Sequence, residues 1–85
     1  MQDEMKKLYT AISAVIYKVK EEKGIKYTEF CYGNDIPMST FDDIMNAKTK
    51  ASFYNVAKIV KALGLNFQEF GKLLDEQLPP DFLNS

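Results

Sequence analysis

Apolar residues recur at three- and four-residue intervals near the start of the chain, at Met5, Leu8, Ile12, Val15, Ile16 and Val19. That spacing gathers them on one stripe of a helix. It predicts a first helix over about 3–23, ended by Gly24, a natural breaker at a helix C-terminus. Ile25 then packs inward. A short second helix follows over about 27–33, presenting Phe30 and Cys31. The stretch "GND" ends it, and Asn34 or Asp35 can take the left-handed conformation that such a turn needs. Pro37 suits a helical first turn, where its missing N–H costs little. A third helix is therefore expected over 38–46, with Phe41 and Ile44 facing the core. "AKTKAS" reads as a polar loop, and Ser52 is a good N-cap. Phe53, Val56, Ala57, Val60 and Leu63 form the expected buried stripe of a fourth helix, closed by Gly64. Asn66 and Glu69 stand at capping-box spacing. They open a fifth helix over about 67–77, which carries Phe70, Leu73 and Leu74 and stops before Pro79 and Pro80. No strand pattern, repeat or low-complexity linker interrupts this order. The fold class is all-α, five short helices in one domain over 1–78, with a short tail over 79–85.

Composition narrows the function. Eighty-five residues make one small domain, near the lower limit for a self-sufficient core. Apolar residues at 46% and charged residues at 27% are ordinary for a globular protein. No apolar run approaches the ~20 residues that span a bilayer. "MQDEMKKLYT" lacks the apolar centre of a signal peptide, so a cytoplasmic location is expected. The single cysteine, Cys31, has no internal disulfide partner, and with no histidine a zinc site is poorly supported. Cys31 reads as a small buried apolar group. No metal, cofactor or small-molecule ligand is expected.

Catalysis is not expected either. The acidic pairs Glu21/Glu22 and Asp42/Asp43 are sequence neighbours, and on a helix they diverge by about 100°, so they do not converge as catalytic carboxylates must. Net charge is −1, but its distribution is uneven. Residues 44–61 hold four lysines and no acid, whereas 69–85 hold four acids against Lys72 alone. A basic middle and an acidic end imply two faces with different work.

The stretches "YTEFCYGNDIPMSTFDDIM", "NAKTK" and "VAKIVKALGLNFQEF" together resemble the lambda-repressor-like (Cro/XRE) helix-turn-helix family. The resemblance runs without a gap from about Ile16 to Phe70. "EEKGI" looks like the family's end of helix 1, Cys31 falls where the family places a small alanine, and "KIVKALGL" is the most family-like stretch. The resemblance implies double-stranded DNA as partner, with the third helix in the major groove and its N-terminal half on base edges. Carried onto this chain, the base-reading positions are Met38, Ser39 and Asp43, with Thr40 and Asp42 close by. The phosphate-contacting positions are Tyr27, Asn46, Lys48, Lys50 and Ser52. The chain departs from the family at named places. Tyr27 stands where the family has glutamine, and Asp35 and Ala47 stand where it has glycines. Lys20 and Met45 occupy the positions of an arginine–glutamate pair that often ties helix 1 to helix 3.

The third helix carries two aspartates and no lysine, which is unusual for a helix that enters a polyanion. Met38 could touch a thymine methyl, and Asp43 could accept from the N4 amino group of cytosine. Affinity comes chiefly from neutralised phosphates, so the lysines around the helix would hold the duplex. The rival expectation is a protein-interaction module, antitoxin-like or anti-repressor, that turns its acidic helix to a basic partner. Lysines sharing the exposed face of Met38, Ser39 and Asp43 favour DNA; acids dominating that face favour a protein. A homodimer is expected through Leu73, Leu74, Leu78, Phe82 and Leu83, which offer more apolar surface than so short an end needs for itself.

Overall fold

The computed structural model describes residues 2–48 and 51–83. It has five helices in chain order: α1 (Gln2–Lys23), α2 (Tyr27–Gly33), α3 (Met38–Met45), α4 (Phe53–Ala62) and α5 (Phe67–Gln77). No strand occurs among the described residues. No helix among them is long and apolar enough to cross a membrane.

The long α1 is the spine, packed against both α3 and α5, while α2 packs against α3. Its stripe of Ile12, Val15, Ile16 and Val19 meets Phe30, Phe41, Ile44, Val56, Ile59, Val60, Leu63 and Phe70 in one core. Cys31 is buried in that core, consistent with close approach of α2 and α3. Met5 belongs to the same periodic run yet stays half exposed at 48%, because the packed part of the stripe begins at Leu8.

Phe53 corrects the expected α4 stripe. It is 67% exposed, and Ile59 is fully buried where the stripe had no member. The buried spacing is Val56, Ile59, Val60 and Leu63. Phe53, in the first turn, instead stacks on Phe67 at the surface, with ring centroids 6.4 Å apart. Helical periodicity gives a face; it does not guarantee that a neighbour reaches the end of that face.

The helix ends explain how so many short helices stop cleanly. Each of the first four closes in the same pair of backbone bonds. These are Ile25 N–H to Lys20 O with Gly24 N–H to Glu21 O, and Ile36 N–H to Cys31 O with Asp35 N–H to Tyr32 O. In α3 and α4 they are Lys48 N–H to Asp43 O with Ala47 N–H to Ile44 O, and Leu65 N–H to Val60 O with Gly64 N–H to Lys61 O. This is the Schellman arrangement, which needs one left-handed residue. Gly24 and Gly64 supply it at φ 63° and 87°, while Asp35 and Ala47 adopt it at φ 56° and 58°. The starts are capped by side chains where the sequence expects it. Ser52 Oγ accepts from Asn55 N–H, and Asn66 and Glu69 form a complete capping box.

Candidate nucleic-acid interface

The turn over 34–37 sets α3 against α2 and leaves one side of α3 outward. Phe41 and Ile44 anchor the inner side. Tyr27, the first residue of α2, lays its ring parallel to Phe41 at 5.8 Å and 12°, so the start of α2 stands beside α3. The turn is braced from α4 by Lys58, whose Nζ donates to Asp35 O at 2.7 Å. Lys58 is therefore a half-buried tie between α4 and this turn.

The far end of α3 is held by a contact that sequence reading missed. Ser13 Oγ on α1 donates to Met45 O at 2.7 Å. Asp42 O accepts from Asn46, Asp43 O from Lys48 N–H and Ile44 O from Ala47 N–H. Each of the last four carbonyls of α3 thus has a donor, a full satisfaction of groups that a helix leaves open. Lys20, which has Met45 and no acid at the matching position of α3, reaches Glu21 on its own helix. Among the described residues, Ser13 ties α1 to α3 by a hydrogen bond and no α1–α3 ion pair is present.

On the outward side, Met38, Ser39 and Asp42 are exposed, and Thr40 and Asp43 are half-buried. Asp43 Oδ1 lies 3.4 Å from Lys48 Nζ, so the first lysine of the basic loop meets the acidic helix directly. Asn46 is exposed at the C-cap of α3, and its amide donates back to Asp42 O at 2.9 Å. Tyr27 is exposed along one edge while its face rests on Phe41. Ser52 is exposed, with its Oγ engaged as an acceptor in the α4 cap. The expected phosphate contact at Lys50 lies outside the described residues. Burial pushes the Cys31 thiol above its usual pKa, and the nearby negative charge of Asp42 pushes it the same way.

The apolar end of the chain is less free than its composition implied. Leu73 and Leu74 pack against the core, and Leu78 and Phe82 are half-buried. The segment after α5 folds back on α1. Lys7 Nζ lies 3.4 Å from Asp81 Oδ2, and Leu83 N–H donates to Glu4 Oε2 at 3.0 Å. The Glu4 hydrogen bond is the main cause that raises the Lys7 pKa. A groove of about 300 Å³ lies where Lys7, Ala11 and Ala14 of α1 face Gln77 and Pro79. Among the five expected dimer residues, Leu83 alone is widely exposed.

Comparison with protein-family models, curated proteins and solved structures returns no match. Among the described residues, no group of three or more histidine, cysteine or acidic side chains gathers as a metal site would. Phe53 and Phe67 form an exposed aromatic pair, with Lys61 Nζ 5.5 Å from the Phe67 ring centroid. The signal for it was present, since Phe53 and Phe67 each directly follow a capping residue.

Proposed function

We propose that this chain is a sequence-specific, double-stranded DNA-binding transcriptional regulator of the lambda-repressor-like kind, acting as a homodimer. In this reading α3 enters the major groove, with Met38, Ser39, Thr40 and Asp43 toward base edges. Tyr27, Asn46, Lys48, Lys50 and Ser52 hold the phosphates on either side. The observation that carries it is the place of Lys48, beside the outward face of α3 and against Asp43. Its ammonium offsets one of the two carboxylates and, in this reading, meets a phosphate beside α3. The left-handed backbone at Asp35 and Ala47 supports the same reading, since these are the positions at which the resembled family uses glycine.

The second reading, a protein-interaction module with a basic partner, is favoured by one feature: Asp42 is exposed on α3. Two variants separate the readings on any duplex that binds. Lys48→Ala is expected to weaken binding to all sequences and to lower the salt slope by about one unit. Asp43→Ala is expected to change which sequences are preferred. Equal tightening by Asp43→Ala on every duplex would make that carboxylate a repulsive bystander. A dimer is expected in sedimentation at high micromolar concentration, and a monomer there would remove the homodimer from the proposal.

A further inference from the structure

The outward face of α3 has an unusual chemical inventory. Between Met38 and Met45 there is no lysine, arginine, asparagine or glutamine. The amide that follows, Asn46, lies past the end of α3 at its C-cap and donates from Nδ2 to Asp42 O. What the face offers is a thioether tip at Met38, hydroxyls at Ser39 and Thr40, and carboxylates at Asp42 and Asp43. Met38 and Asp42 are four residues apart, as are Ser39 and Asp43, so each pair occupies adjacent turns of one face. The two carboxylates are not equivalent. Asp43 is held by Lys48, with its side chain only 23% exposed, whereas Asp42 is exposed.

Each base edge asks for a different complement in the major groove. Guanine shows two acceptors, met by a cationic fork, and adenine shows a donor beside an acceptor, met by an amide. Neither complement is present on α3. Thymine shows a C5-methyl group, and cytosine shows an N4 amino donor. An apolar tip suits the first and a carboxylate suits the second. Two carboxylates set against the O6 and N7 acceptors of guanine are repulsive.

We propose that α3 reads the C4–C5 edge of pyrimidines on one strand of each half-site. Met38 covers a thymine methyl group, and the Asp42 carboxylate accepts from a cytosine N4 amino group. The proposal rests on the DNA-binding reading, adds Asp42 to its base-edge positions and specifies its target: a half-site with thymine and cytosine on the strand facing α3. It also gives the exposed aspartate a role in selection, where a phosphate-facing position would give it only repulsion.

The test begins with the duplex enriched by the full chain from a random pool. Each thymine is then replaced in turn by deoxyuridine, which removes only the methyl group. At one thymine in each half-site the affinity is expected to fall about fourfold, the equilibrium worth of one buried methyl group. Met38→Ala is expected to abolish that difference, and Met38→Leu, which keeps an apolar tip, to preserve it. Selection with Asp42→Asn is expected to shift one cytosine to adenine, because an amide pairs with adenine. Circular dichroism confirms that each variant is folded. Binding that is indifferent to deoxyuridine at every position, or a difference that survives Met38→Ala, overturns the methyl contact while leaving DNA binding intact. An unchanged selected sequence for Asp42→Asn overturns the amino contact. Failure of the unaltered chain to bind any duplex overturns the proposal together with the reading beneath it.

Discussion

Ser13→Ala is the substitution that most sharply probes how α3 is held. The hydroxyl is part-buried and donates at 2.7 Å to Met45 O, at the C-terminal end of α3. Its loss leaves that carbonyl without its donor from α1. An unsatisfied, partly buried carbonyl costs about 1–3 kcal/mol. Alanine recovers roughly 0.5 kcal/mol through its better helix propensity within α1. The expected net loss is about 1 kcal/mol, or a fall in Tm of about 4–8 °C for a domain of this size. Thermal unfolding followed by circular dichroism at the helix band measures it directly. Ser39→Ala, at an exposed position of α3, is the control and is expected to leave Tm nearly unchanged. If Ser13→Ala matches that control, the α1–α3 tie is energetically empty and the reasoning on carbonyl satisfaction fails.

The shared helix ending makes opposite predictions at two of its left-handed residues. Gly64→Ala is expected to cost about 1–2 kcal/mol, because φ is 87° and the new methyl would lie 3.0 Å from Lys23 Nζ. Asp35→Gly is expected to stabilise by roughly 0.5 kcal/mol, since relief at φ 56° outweighs the added freedom of the unfolded chain; denaturant midpoints of the two variants should move in opposite directions. The buried Cys31 thiol, with its pKa raised by burial, is expected to resist alkylation at neutral pH. It should react only as fast as the domain opens, so rapid modification under native conditions would contradict its place in the core.

Much of the fold was legible because its signals are local. A cap at Ser52, a capping box at Asn66 and Glu69, and breakers at Gly24 and Gly64 each act within a few residues of where they stand. Helix bounds read from them agree with the structure to within a residue. Phe53 was misplaced because its burial depends on whether a neighbour covers the first turn of α4, and periodicity carries no such information. Ser13 passed unnoticed for a related reason. A serine on a helix is ordinary, and its partner lies 32 positions away in the chain. The candidate positions on and around α3 come from the sequence pattern, and the structure adds which of them are exposed or paired. The pairing of Lys48 with Asp43, which leaves Asp42 as the exposed carboxylate, depends on where the α3–α4 loop leaves the helix. That path is set by the left-handed residue at Ala47, and no side-chain pattern announces it.

The central claim is that a helix bearing two aspartates still reads DNA because lysines around it hold the duplex. The most direct measurement is fluorescence anisotropy of the chain with a pool of random-sequence duplexes at two salt concentrations, followed by selection of the bound fraction. Salt-sensitive binding that enriches a palindrome, with half-sites about one helical turn (~34 Å) apart, is the predicted result. Absence of binding even at low salt would contradict the claim and point to a basic protein as the partner of α3.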